Sequence, residues 1–337
     1  MSDSATRERR LLGRNGPEVL GVGLGCMSLS GTYGTSDDSA AIALIHRAID
    51  LGIDHLDSSD MYGWGHNEEL LGRALAALPG TRRNTVVLAT KFGQTRQPGG
   101  ANGVNGRPEY VREACEASLK RLGAEVIDIY YQHRVDPDVP VEDTVGAMSR
   151  LVEQGKVRFI GLCEARPERL RRAHAVHPIA AVQSEFSLLY REEADETRAA
   201  VRDLGIAFVA YAPLGRSLLA GAVPDFANLA EGDTRARHPR FEADNFEKNR
   251  ALVERVEAIA ADKSCTVAQL SLAWLLAQGP DVIPIPGTKR IERLEENLGA
   301  LDVRLTPEEI AGIAEAVPAG AAAGTRYPAG GMKGVYL

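Results

Sequence analysis

The stretch Leu51-Gly52-Ile53-Asp54-His55-Leu56-Asp57 joins a helix to a strand through a single glycine, and the same junction recurs along the chain. Leu122-Gly123 leads into an apolar strand over 126–131, and Leu204-Gly205 into one over 206–211. Gln154-Gly155, ahead of 157–162, is a fourth copy with the leucine replaced. Glycine just past a helix end takes the left-handed conformation at no steric cost, so the chain turns directly into the next element.

The segments before these glycines have helical spacing: Ile42, Ile45 and Ile49 share one face, as do Val145, Met148 and Val152. Pro108 and Pro167 sit where the first turn of a helix tolerates a missing N–H. The strands are continuous apolar runs, the pattern of a parallel sheet covered by helices. Strands are expected at 22–25, 54–58, 86–90, 127–132, 157–162, 180–184, 206–211 and 282–285. Eight strands alternating with helices predict a (β/α)8 barrel, of the TIM-barrel architecture, as one domain over 1–337. Residues 9–20, with Asn15-Gly16 in the middle, read as an N-terminal β-hairpin. One connection, 214–249 between strands 7 and 8, is too long for the repeat and is expected to be a functional loop. The Ala/Gly-rich tail from Pro318 is expected to be irregular.

Composition narrows the function classes. The 337 residues are 44% hydrophobic and 25% charged, as in an ordinary globular protein. A net charge of −7 argues against nucleic acid and anionic membrane as partners. The charged start has no signal-peptide core, and no run is long enough to span a membrane. Cys26, Cys115, Cys163 and Cys265 have neither metal-ligand nor disulfide spacing, so a reducing, cytoplasmic setting without a metal is the expectation.

Active-site residues of such barrels come from the C-terminal ends of strands. Those ends present Asp57, then Tyr62 in the next loop, Lys91 and His133. The set suits carbonyl reduction. Hydride delivery to a carbonyl leaves an alkoxide that needs a proton donor, and a tyrosine near pKa 10 needs a cation to poise it. Lys91 could supply that charge, Asp57 could hold the lysine, and His133 could orient the carbonyl. Each also has a plainer reading: Asp57 as the cap of a helix near Asn67, Tyr62 and Lys91 as rim residues, His133 as a bonded strand-end histidine.

At this point the sequence resembles the aldo-keto reductase superfamily, as a bacterial member. The resemblance rests on Leu56-Asp57-Ser58-Ser59-Asp60-Met61-Tyr62-Gly63 with Asn67-Glu68-Glu69-Leu70-Leu71-Gly72. Ser118-Leu119-Lys120-Arg121-Leu122-Gly123, the end of strand 4 at His133, and Gly155-Lys156-Val157-Arg158 also match. Ala210-Tyr211-Ala212-Pro213-Leu214-Gly215 and Ile285-Pro286-Gly287-Thr288-Lys289 extend it over about 9–315. It implies Tyr62 as general acid, Lys91 lowering its pKa, Asp57 pairing with the lysine and His133 orienting the carbonyl. It implies NADPH as cofactor in preference to NADH, and a small carbonyl or alcohol as substrate.

By the same resemblance Gln183 holds the nicotinamide carboxamide and Tyr211 stacks on the nicotinamide ring. Leu214, Gly215 and Arg216 begin the loop over the pyrophosphate. Gly287, Thr288, Lys289 and Arg293 form the phosphate segment, with Glu296 and Asn297 near adenine. On charge alone, 289–296 reads as a solvated helix; its place after strand 8 favours the phosphate role. The family's Ser-Asn at the end of strand 5 is here Cys163-Glu164, and one branch with many bacterial and plant members has Ser-Glu. A carboxylate such as Glu164 accepts from an amide NH2 but cannot donate to its oxygen. Cys163 reads equally as a small buried strand residue.

Met27, Tyr33, Trp64 and Phe92 are the candidate substrate-pocket residues. Arg235 or Arg240 in the long loop around 235–241 could meet an anion, although the Arg235–Arg240 cluster reads first as a solvated loop. The Gly21-Val22-Gly23-Leu24-Gly25 run imitates a dinucleotide loop, but its glycines lie inside a strand rather than opening a helix, so barrel-strand glycines are the expectation. Two further functions compete: a nucleotide-sensing subunit resembling potassium-channel β-subunits, and a Schiff-base lyase using Lys91.

Overall fold

Gly123 and Gly205 close their helices at φ 58° and 68°, each in the left-handed conformation that the junction motif requires. Gly52 and Gly155 make the same turn at φ 93° and 73°. The helices they end, Asp38–Asp50, Pro108–Leu122, Val141–Glu153 and Glu192–Leu204, bury one apolar face each. Asp37 caps the first through the Ala40 N–H at 2.7 Å, and Pro108 occupies the opening turn of the second. These features belong to a computed structural model, which describes residues 7–96, 102–221 and 229–337.

The strands alternating with these helices form one eight-stranded parallel sheet. In chain order they are β1 Leu24–Gly25, β2 His55–Asp57, β3 Val87–Phe92, β4 Ile127–Gln132, β5 Val157–Cys163, β6 Ile179–Glu185, β7 Ala207–Tyr211 and β8 Val282–Pro284. Each pairs with its sequence neighbour. The last strand returns to the first: the Gly23 N–H donates to the Pro284 carbonyl at 3.0 Å and the Gly25 N–H to the Pro286 carbonyl at 3.2 Å. The sheet is thus curled into the expected (β/α)8 barrel. The N-terminal hairpin pairs Arg9–Leu11 with Glu18–Leu20 in antiparallel register, and Leu12 and Val19 seal the barrel floor.

Parallel strands covered on both faces need two cores. Leu88, Tyr130, Leu162, Val182 and Phe208 face the helices, while Val87, Ala89, Ile129, Tyr131, Ala181, Val209 and Ile283 fill the barrel. Each fully buried side chain of this kind contributes roughly 1.5–3 kcal/mol. Strand alternation also decides which residues reach the mouth. In β3 the inward row is Val87, Ala89, Lys91, so Phe92 turns outward and stacks on Tyr130 with centroids 4.8 Å apart. The substrate role expected of Phe92 is therefore corrected: it is fully buried in the outer core.

The long connection is shorter than its composition suggests. The helix Ala243–Asp262 begins ahead of Asn249, and short helical turns at Thr234–Arg237 and Pro239–Phe241 precede it. Pro224 lies outside the described residues. A small hairpin after β3, Gln94–Arg96 with Asn102–Val104, was not legible in the pattern. The tail beyond Pro318 has only the short helix Ala329–Met332, as expected of an irregular segment. Among the described residues no helix is long and apolar enough to cross a membrane.

The glycine run is explained by closure. A Cβ on Gly25 would lie 2.7 Å from the Ile285 carbonyl oxygen, which is backbone and cannot step aside. Gly25→Ala is expected to lower stability by about 1–3 kcal/mol through overpacking. Gly146, inside the helix Val141–Glu153, faces open space, so Gly146→Ala is expected to gain about 0.5–1 kcal/mol. Thermal unfolding of both variants checks this, and equal melting temperatures would refute the closure argument.

Candidate active site

The inward rows of the strands deliver a cluster of polar groups to one end of the barrel. Asp57 ends β2, Lys91 lies one residue from the end of β3, and His133 follows β4. Tyr62 opens the turn after β2, Tyr62–Gly65, in which Gly63, Trp64 and Gly65 all have positive φ. That left-handed run folds the tyrosine back over the lysine. For Trp64 the conformation is strained, since a side chain with a Cβ rarely adopts it.

Lys91 is fully buried and donates three ways: to an Asp57 carboxylate oxygen, to the Ser58 carbonyl at 2.8 Å, and to the Tyr62 hydroxyl oxygen at 3.2 Å. Burial works to lower the lysine pKa, but Asp57 and then Tyr62 outweigh it, so the ammonium is held above its ordinary range. Burial pushes the Tyr62 phenol up to about 12, and the Lys91 charge pulls against that rise. Burial, with the Arg134 and Lys91 charges, holds His133 well below the usual histidine pKa, so the ring is neutral. Its Nδ1 lies 3.0 Å from Ser59 Oγ and its ring meets Tyr62 edge-on, centroids 5.8 Å apart. Ser59 is a partner of the His133 ring that sequence reasoning missed, and the serine pair beside Asp57 was its only signal.

A cavity of about 800 Å³ opens on this cluster. Asp57, Tyr62, His133 and Gln183 line it, with Met27, Tyr33 and Trp64 beside them. It continues past Tyr211, Leu214 and Arg216 to Gly287, Thr288, Lys289, Arg293, Glu296 and Asn297. Gly215 and Glu164 are buried behind that wall rather than lining it. Gln183 Nε2 donates to the second Asp57 oxygen at 2.7 Å, tying the cavity wall to the ion pair. Cys163 is buried, and its thiol is pushed up to about 12 by burial.

The strand-end glutamates are anchored by arginines from distant parts of the chain. Glu164, at φ 54°, accepts from both terminal nitrogens of Arg326 at 2.8 and 2.9 Å, from the Tyr211 hydroxyl at 2.7 Å and from the Glu185 N–H at 3.1 Å. Glu185 in turn accepts two bonds from Arg216 at 2.9 and 2.8 Å and one from Arg240 at 3.2 Å. The reading of the Arg235–Arg240 cluster as solvated is corrected for two of its arginines, while Arg237 stays exposed: Arg235 and Arg240 are buried, Arg235 against Asp233 at 2.6 Å and Arg240 against Glu185. Buried guanidinium needs a carboxylate, and these two are satisfied inside the fold.

The lining fits a nicotinamide dinucleotide. Tyr211 offers an aromatic ring to the cavity. Gly25 and Gly287 oppose each other so closely that a Cβ on Gly287 would lie 2.9 Å from the Gly25 carbonyl oxygen, which keeps that wall flat. Lys289 and Arg293 add positive charge to the lining, with Lys289 held by the carbonyls of Tyr33 and Thr35 at 2.8 and 3.0 Å. Among the described residues no group of His, Cys, Asp or Glu is placed to hold a metal ion.

Comparison with known proteins agrees with this geometry. The family model described as the aldo/keto reductase family matches residues 21–318. A protein named probable aldo-keto reductase 1, from Glycine max, is 47% identical over 317 residues, covering 94% of this chain and 90% of the relative. The solved structure of the glycerol dehydrogenase AKR11B4 from Gluconobacter oxydans superposes with a TM-score of 0.81 at 29% identity, covering 93% of this chain and 95% of that one. The holo form of the aldo-keto reductase AKR11C1 from Bacillus halodurans gives a TM-score of 0.76 at 26% identity, over 93% and 97% of the two chains.

The Glu164–Arg326 pair generates a stability prediction. Both side chains are 1% exposed, so Arg326→Met strands a buried carboxylate and is expected to cost about 3–5 kcal/mol. Combining it with Glu164→Gln removes both charges and is expected to restore a large part of that loss. Denaturant unfolding of the single and double variants reads the difference; additive losses would argue against direct pairing.

Proposed function

The chain belongs to the aldo/keto reductase family, which makes it an NAD(P)H-dependent oxidoreductase of carbonyls and alcohols, and on that premise we propose an NADPH-dependent reductase with Tyr62 as its acid. The substrate is an aldehyde or ketone, reduced to the alcohol or formed from it in reverse. The observation that carries the reading is the bonding at Lys91. Its ammonium donates to the Tyr62 oxygen, which leaves the tyrosine's own O–H free to point at a substrate.

Bound NADPH supplies the hydride. Tyr62 gives its proton to the carbonyl oxygen as negative charge develops there, and the tyrosinate left behind faces the Lys91 ammonium. Asp57 keeps that ammonium protonated and in place. His133, neutral and oriented by Ser59, offers a ring nitrogen to the same oxygen without adding a positive charge that would compete with the proton transfer. Gln183 would hold the carboxamide, and Tyr211 would pack its ring against the nicotinamide. Leu214 and Arg216 would cover the pyrophosphate, Gly287, Thr288, Lys289 and Arg293 would form the phosphate segment with Lys289 and Arg293 at the 2′-phosphate, and Glu296 and Asn297 would lie beside adenine. Met27 and Trp64 border the substrate.

The lyase alternative finds no support at Lys91. A Schiff base needs a free amine lone pair, and this amine is held charged by Asp57. Turnover of model aldehydes separates the reductase from a nucleotide-sensing subunit, and the likeness to a glycerol dehydrogenase supports catalysis.

Three outcomes are expected. Tyr62→Phe should lower kcat by about 10²–10⁴-fold with little change in NADPH affinity, because only the hydroxyl is lost. Tyr62→Phe with Lys91→Met should lose far less than the product of the single effects; full activity in a folded Tyr62→Phe protein would sink the mechanism. Fluorescence titration should show NADPH binding more tightly than NADH, and the reverse order would overturn the 2′-phosphate assignment.

A further inference from the structure

Charge pairing along the cavity is uneven. Five arginines line it: Arg134, Arg216, Arg235, Arg290 and Arg293. Four of them have carboxylate partners: Arg216 with Glu185, Arg235 with Asp233, Arg290 with Glu292 and Arg293 with Glu296. Arg134 makes no close ion pair among the described residues, and the Glu164 carboxylate acts on it only from beyond pairing distance. A guanidinium carries five N–H donors. This one uses Nη1 on the His133 carbonyl at 2.7 Å and reaches the Tyr327 hydroxyl oxygen with Nη2 only at 3.5 Å.

Its position is informative. Arg134 follows His133 directly and its charge acts on the His133 ring, so it stands at the reacting cluster of the cavity. The tail fixes it there. Its guanidinium lies 6.0 Å from the Tyr327 ring centroid, and Tyr327 is held by the Tyr211 hydroxyl at 3.0 Å. Gly334 packs on its aliphatic stem, where a Cβ would meet Cδ at 3.7 Å. Burial opposes the charge, but Tyr211, Tyr327 and Glu164 hold it above the ordinary arginine range. An oriented, partly buried guanidinium with donors to spare is built to receive a planar anion in a forked contact.

We propose that Arg134 is a specificity-determining anion subsite, and that the preferred substrate is a carbonyl compound that also carries a carboxylate. The inference rests on the reductase reading of the cavity and deepens it. Carbonyl and carboxylate would be held together, the carbonyl oxygen between Tyr62 and His133 and the carboxylate on Arg134. A neutral aldehyde leaves the guanidinium half desolvated and unpaired, which penalises its binding.

The test compares 4-formylbenzoate with its methyl ester, two aldehydes that differ in charge at one end. NADPH consumption by the wild-type protein is expected to give kcat/KM about 10–100-fold higher for the acid, as one charge-assisted contact provides. In Arg134→Met the acid-to-ester ratio should fall at least tenfold, mainly through KM for the acid, and Arg134→Lys should retain part of it. Calorimetric binding of 4-formylbenzoate to the NADP⁺-loaded protein reads the same subsite without turnover. Loss of that affinity in Arg134→Met supports the subsite even where neither aldehyde is reduced, an outcome that would sink the reductase reading alone. An unchanged acid-to-ester ratio and unchanged 4-formylbenzoate affinity in both variants would overturn the proposal. So would weaker NADPH binding with equal losses on both aldehydes, which would assign Arg134 to the cofactor.

Discussion

The ion pair between Lys91 and Asp57 is the constraint on which the mouth of this barrel is built. Two charges at 0% and 2% side-chain exposure are stable only if every neighbouring lone pair and proton is satisfied. The Ser58 carbonyl and Tyr62 hydroxyl complete the lysine, and Gln183 completes the aspartate. Those partners come from β2, its following turn, β3 and β6, and they meet only because the sheet is curled. Closure in turn depends on Gly25, where the first strand approaches the Ile285 backbone after the last too closely for a side chain. A local feature of chemistry is thus tied to the global topology.

Much of this was legible because strand alternation and parallel order are simple rules. Once eight strands are placed, the inward row of each ends at the same rim, and Asp57, Lys91 and His133 fall together without long-range information. The same rule, applied one residue more strictly, would have turned Phe92 outward, since it neighbours the inward Lys91. Helix ends were readable from single glycines because a left-handed turn has few alternatives to glycine.

What was not legible is what depends on side chains distant in sequence. Arg326 reaches Glu164 across 162 positions, and Arg240 reaches Glu185 across 55. No spacing rule links such partners, so an arginine-rich loop looked solvated when two of its charges, Arg235 and Arg240, are spent inside the fold. The helix Ala243–Asp262 was masked by its Asn-, Glu- and Lys-rich first turns, in which the apolar stripe is thin.

These distant contacts give the departure at the end of β5 a physical meaning. With Arg326, the Tyr211 hydroxyl and the Glu185 N–H all on its carboxylate, Glu164 is an anchor for the tail. Its carbonyl also accepts from the Leu337 N–H at 3.1 Å, so side chain and backbone bind the same segment at two points. The tail so fixed carries Tyr327, which bridges Tyr211 on one side and Arg134 on the other. An asparagine could neither carry the charge that pairs with Arg326 nor accept so many donors on one group. Glu164 therefore joins the aromatic wall of the cavity and its unpaired arginine to one buried carboxylate.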